Sequence, residues 1–174
     1  MANHVPEGSA PIRSLGQLEP ATRVSVFLYP GQVVVAHEAA AVTTILGSCV
    51  AVCLWDPERR MGGVNHFLLP HFVAGNDVSS SRFGNVAIGR LVAGVIAPGV
   101  RRQALQAKVF GGACVIDAFR GRRDGRHLGL QNVEVALMLL RRERIPVVAE
   151  DVGGRRGRKV IFHTDTGAAL VKLI

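Results

Sequence analysis

The sequence predicts a single α/β domain built in layers. At 174 residues, with 48% hydrophobic and 20% charged content, the chain is long enough to bury one sizeable core. About eight β-prone runs and two or three helical patterns follow one another without strict β-α-β alternation, which argues for stacked layers over a doubly wound parallel sheet. Residues 1–22 are rich in Pro, Gly, Ser and Ala and lack periodicity, so they are expected to form a flexible N-terminal arm, with 23–174 as the one domain.

Taken in order, 24–29 is a short apolar stretch before Pro30-Gly31, and 32–36 reads as the first secure strand. Thr43-Thr44-Ile45-Leu46 leads into a turn at Gly47-Ser48-Cys49. The unbroken β-prone run 50–55, a turn at Asp56-Pro57-Glu58-Arg59-Arg60, and a second apolar run over 62–69 predict a hairpin or two neighbouring strands. The polar segment 71–81 is expected to be a surface loop bordering a cleft, with His71 on the surface. Helical spacing over 85–96 ends at Pro98-Gly99. The pattern 106–116 reads as a strand interrupted by Gly111-Gly112, a pair that marks either a packing bulge or a close backbone approach lining a site. A basic, glycine-rich loop at 120–126 precedes the clearest amphipathic helix, 130–144, which has arginines in its last turn. Strands at 147–149, 160–162 and 169–171 complete the chain, and His163 is taken as structural.

The chemistry concentrates in the hairpin. Cys49 stands at the mouth of the first run and His66 at the end of the second, so antiparallel pairing would bring thiol and imidazole together. A glycine before Ser48-Cys49 permits a tight turn whose N–H groups face a substrate oxygen. An imidazole within hydrogen-bond reach would keep the thiol ionised below its ordinary pKa of ~8.5. Cys53, inside the apolar run, reads as core, and Cys114 is expected to be dispensable for chemistry.

No apolar run reaches the ~18 residues that span a bilayer, and the N-terminus lacks the basic-then-apolar layout of a signal peptide. The chain is therefore expected to be cytoplasmic, with its three cysteines as free thiols. No metal-ligand spacing, P-loop or dinucleotide fingerprint occurs, so a reaction without metal or cofactor is the economical expectation. The formal charge of +8 and pI near 10.7 invite a nucleic-acid reading. An aromatic content of 5% and dispersed arginine clusters argue against it. A solvated basic surface, or one complementary to an acidic protein partner, fits better.

Four ordered blocks carry a family resemblance. They are Thr43 with Leu46-Gly47-Ser48-Cys49-Val50-Ala51-Val52; Asp56 with Gly62-Gly63-Val64-Asn65-His66-Phe67-Leu68-Leu69-Pro70; Ala107-Lys108-Val109-Phe110-Gly111-Gly112-Ala113; and Ala149-Glu150-Asp151-Val152-Gly153-Gly154 with Gly157-Arg158-Lys159-Val160. Together they resemble the CheD family of chemoreceptor glutamine deamidases. The chain departs from the family pattern at Phe83 and Asn85, where tyrosine and aspartate are frequent, and at Gln131, where an arginine precedes the asparagine. The resemblance implies a β-sandwich-like core flanked by helices over 23–174. It also implies hydrolysis of glutamine side-chain amides to glutamate, with Cys49, His66 and Thr43 as catalytic residues and Thr44 as the competing third member. It further implies chemoreceptor cytoplasmic domains as substrates and a CheC-type chemotaxis phosphatase as a second partner, without membrane insertion. A cysteine protease or transglutaminase would use the same dyad, and a regulatory partner of the phosphatase with little or no catalysis is the rival of a different class.

Overall fold

The computed structural model describes residues 23–71, 80–97, 99–115 and 127–174. The expected arm at 1–22, most of the loop after Pro70 and the basic loop at 120–126 lie outside the described residues.

The elements are β1 (Val24–Phe27), β2 (Val33–Ala36), β3 (Ala40–Leu46), β4 (Val50–Asp56), β5 (Met61–Phe67), α1 (Gly84–Ile96), β6 (Gln106–Gly111), α2 (Leu128–Arg142), β7 (Val147–Val152), β8 (Arg158–His163) and β9 (Ala169–Leu173). One sheet has the order β1-β3-β8-β9 and the other β2-β5-β4-β6-β7. Both are mixed: β1 runs parallel to β3, and β6 parallel to β7, while the remaining pairs are antiparallel.

Strand β4 explains the layering. Its side chains alternate, and both faces are apolar, so both must be covered. Val50, Val52 and Leu54 pack with Leu91, Val95, Ala136 and Leu140 of the two helices. Ala51 and Cys53 pack with Val42, Leu46, Val160 and Phe162 of the four-stranded sheet. The five-stranded sheet is thus sandwiched between the helices and its partner sheet, which realises the expected α/β layered domain with both helices on one side. The hairpin expectation also holds, with Ala51 opposite His66 and Asp56 opposite Met61. Its turn is stabilised by the Asp56 carboxylate, which accepts from the Glu58 and Arg59 N–H groups at 2.9 and 3.2 Å.

Three elements differ from the sequence expectation. The lead-in to the cysteine turn is the last part of a seven-residue strand, β3, whose alternation buries Val42, Thr44 and Leu46 and turns Thr43 and Ile45 the other way. The strand expected over 106–116 ends at Gly111 because Gly111 and Gly112 take φ values of +111° and +72°, which turn the chain out of the ladder beyond Gly111. Helix α2 begins two residues early because the His127 ring caps it, accepting from the Leu130 N–H at 3.2 Å.

Candidate active site

Between Leu46 and Val50 the chain leaves one sheet and enters the other, and Gly47-Ser48-Cys49 is that corner. The corner is strapped from below. The Gly112 N–H donates to the Cys49 carbonyl and the Ala113 N–H to the Gly47 carbonyl, each at 2.8 Å. A Cβ on Gly111 would stand 2.2 Å from the Cys49 carbonyl oxygen, and one on Gly112 2.4 Å from Val133 Cγ2. The glycine pair is therefore a close approach to the cysteine turn. Arg158, 2% exposed, fixes the strap from the other sheet. Its guanidinium donates to the carbonyls of Gly111 at 2.8 Å, Gly153 at 2.6 Å and Asp151.

His66 enters from β5, and its ring lies between the sheets at 1% exposure. Its backbone is held by Gln32 and Gly31, His66 N–H donating to the Gln32 carbonyl at 3.0 Å and Gly31 N–H to the His66 carbonyl at 2.7 Å. The side chain that meets the ring is Thr44, with Oγ1 2.8 Å from Nδ1. Thr43 lies on the opposite face of β3 with Ile45, because successive strand residues point to opposite sides. The Thr44 hydroxyl also donates to the Leu28 carbonyl at 2.9 Å. A hydroxyl has one proton, and a carbonyl can only accept it, so the Thr44 oxygen accepts from Nδ1–H and the lone pair falls on Nε2. Nε2 is buried and has no hydrogen-bond partner among the described residues.

Cys49 packs against the same inter-sheet core. It precedes Ala51 by two positions, and Ala51 is the register partner of His66. Cys49 is therefore set diagonally to His66 across the hairpin, a relation of about 7–8 Å between backbones. The electrostatics differ from the expected ion pair. Burial pushes the Cys49 thiol above its ordinary pKa, partly offset by its own backbone N–H lying against the sulfur. Burial also pushes His66 down to about 4, against the opposing pull of the Leu28 carbonyl. The resting pair is a thiol and a neutral imidazole, because burial disfavours the charged form of each.

A further residue, Asn132 of α2, is fully buried. Its Nδ2 donates to the carbonyls of Ser48 at 3.0 Å and Leu68 at 2.9 Å, one from the cysteine turn and one just past His66. Beside Ser48 opens a recess lined by Ala113, Cys114, Val115, His127, Leu128 and Gly129. Cys53 is buried in the strand interior and its thiol is pushed far up by desolvation. Sequence reasoning missed Thr44's precedence, Asn132 and Arg158. Strand phase with Val42 and Leu46 signals the first, and a polar residue on the apolar face of α2, beside Val133 and Ala136, signals the second.

Comparison with known proteins fits this arrangement. The family model described as CheD chemotactic sensory transduction matches residues 68–173. The protein of Anaeromyxobacter dehalogenans named "Probable chemoreceptor glutamine deamidase CheD 1" is 57% identical over 150 residues, covering 86% of this chain and 85% of that protein. A span that long includes the segment carrying Thr44, Cys49 and His66. Proteins named "Probable chemoreceptor glutamine deamidase CheD" from Trichlorobacter lovleyi and Sulfurimonas denitrificans are 45% and 38% identical, over 83% and 85% of this chain and 88% and 93% of their own lengths. A family model spanning more than half the chain, and relatives this similar over most of their length, place the chain in one lineage: it belongs to the CheD family.

Proposed function

We propose that residues 23–174 form a single deamidase domain that acts in the cytoplasm, hydrolysing glutamine side-chain amides of chemoreceptors to glutamate with Cys49 as the nucleophile. Family membership supports the amide hydrolysis and the receptor substrate, since the relatives carry that activity in their names. The observation that supports these residues is the unpartnered Nε2 of His66, buried on the face that Cys49 shares.

In this mechanism Sγ bonds to the carboxamide carbon as its proton passes to Nε2, so no thiolate need persist beforehand. The developing oxyanion accepts a hydrogen bond from the Cys49 N–H, which belongs to the nucleophile's own residue. The imidazolium then returns its proton to the departing nitrogen, the C–N bond breaks, and ammonia leaves a thioester. Water attacks the thioester carbon while Nε2 takes its proton. Collapse expels the sulfur, which recovers that proton, and glutamate is released. Thr44, holding Nδ1–H, keeps the tautomer that leaves Nε2 basic. The orienting role therefore passes from Thr43 to Thr44.

Incubation with a receptor cytoplasmic fragment tests the proposal. Peptide mass spectrometry should find chosen glutamines converted to glutamate with ammonia released and the chain uncut, and Cys49→Ala should end the conversion. Cut peptides would support a protease instead. An unmodified receptor, bound equally well by Cys49→Ala, would support a regulatory partner of a CheC-type phosphatase.

A further inference from the structure

The carbonyls of Gly47, Ser48 and Cys49 are all tied down. Two are held by backbone, from Ala113 and Gly112. The middle one is held by a side chain, Asn132. Both partners of the Asn132 amide are carbonyls, so the group facing them is the NH2, and its two hydrogens are both engaged. Its Oδ1 is buried without a partner among the described residues. An apolar residue of similar shape would strand both carbonyls without this donor, so the amide joins two backbone segments that nothing apolar could tie.

The peptide between Ser48 and Cys49 is trans, like every described peptide. In a trans peptide the C=O and the following N–H point in opposite directions. Turning the Ser48 carbonyl toward α2 therefore aims the Cys49 N–H away from that helix. The second bond, to the Leu68 carbonyl, holds the backbone two residues beyond His66.

We infer that Asn132 is a positioning residue: one side-chain amide clamps the peptide plane before Cys49 and the strand end after His66, fixing the Cys49 N–H as a donor and keeping thiol and imidazole at a set separation. The inference rests on the proposed role of Cys49, and Asn132 itself touches no reacting atom.

The test compares wild type with Asn132→Ala, Asn132→Asp and Leu140→Ala. Leu140 is buried on the same helix and meets neither carbonyl. Each is assayed below its melting transition for kcat and KM on a receptor fragment, and for the rate of Cys49 alkylation against pH. Asn132→Ala should lower kcat by about 10²-fold and leave KM within about twofold, as expected for a misaimed donor. Its Cys49 should alkylate more slowly at neutral pH, because loss of the N–H donor raises the thiol's pKa. Asn132→Asp donates only when protonated, so its kcat relative to Asn132→Ala should rise on acidification. Leu140→Ala should lose stability and keep wild-type kcat and alkylation. Wild-type kcat and alkylation in Asn132→Ala would overturn the inference, as would Leu140→Ala matching its defects. Alkylation reads the thiol directly, so it decides the point even if activity surviving in Cys49→Ala removes the nucleophile assignment.

Discussion

The two cores on either side of β4 are built from the same strand and do opposite things. On the helix side, Val50, Val52 and Leu54 meet aliphatic side chains of α1 and α2 and form a closed packing layer. On the sheet side, the same strand presents Ala51 and Cys53, small residues that leave room for the His66 ring and the Thr44 hydroxyl between the sheets. A core that only packs wants shape, whereas one that holds a base must also settle every proton. The difference teaches that the proposed chemistry belongs to the sheet–sheet interface, to which a helix reaches through Asn132.

Substitutions on the two sides should break differently. The largest expected effect is Cys49→Ala, a loss of turnover of about 10⁴-fold or more with the fold intact, read by ammonia release and by circular dichroism. On the helix side, Leu91→Ala should cost about 2–5 kcal/mol in urea unfolding, the range for a fully buried leucine, with kcat per folded molecule unchanged. Activity loss in the folded fraction of Leu91→Ala would mean the two cores are not separable.

The buried imidazole adds a pH dependence that the aliphatic core lacks. His66 falls from 6.5 to about 4 on folding, so between those values the unfolded chain binds a proton that the folded chain does not. The contribution is fully present above pH 6.5 and is lost as pH falls toward 4, amounting to about 3 kcal/mol. Urea midpoints from pH 7 to 4 should show this slope in wild type and a weaker one in His66→Gln. The smallest effect compares two neighbours. Thr44→Val should lower kcat by about 10-fold or somewhat more by freeing the tautomer, and Thr43→Val should stay within about twofold. Equal losses would return the orienting role to Thr43.

The layered fold was legible because its signals are local: alternation in β4 and β5, the Asp56 turn, and helical spacing in α1 and α2. The pairing that sets Ala51 opposite His66, two residues beyond Cys49, was legible because a hairpin fixes register. Thr44 was separable from Thr43 only through strand phase, in which it keeps step with Val42 and Leu46. Asn132 and Arg158 were harder for another reason. Each acts on backbone carbonyls far away in sequence, and carbonyls are the same at every residue, so even the polar break that Asn132 makes in the apolar face of α2 does not say what it holds.

Arg158 also sets an order in time. Cys49 and His66 sit together in one hairpin, which can pair as soon as it is made, whereas Arg158 lies more than a hundred residues beyond the cysteine. Strand β8, which starts with it, is also the partner that completes β3 and holds Thr44 in place. Because a chain is made from its N-terminus, the cysteine emerges well before the residues that tie the glycine strap and close β3. If Cys49 acts as proposed, competence arrives with the strand that completes the second sheet.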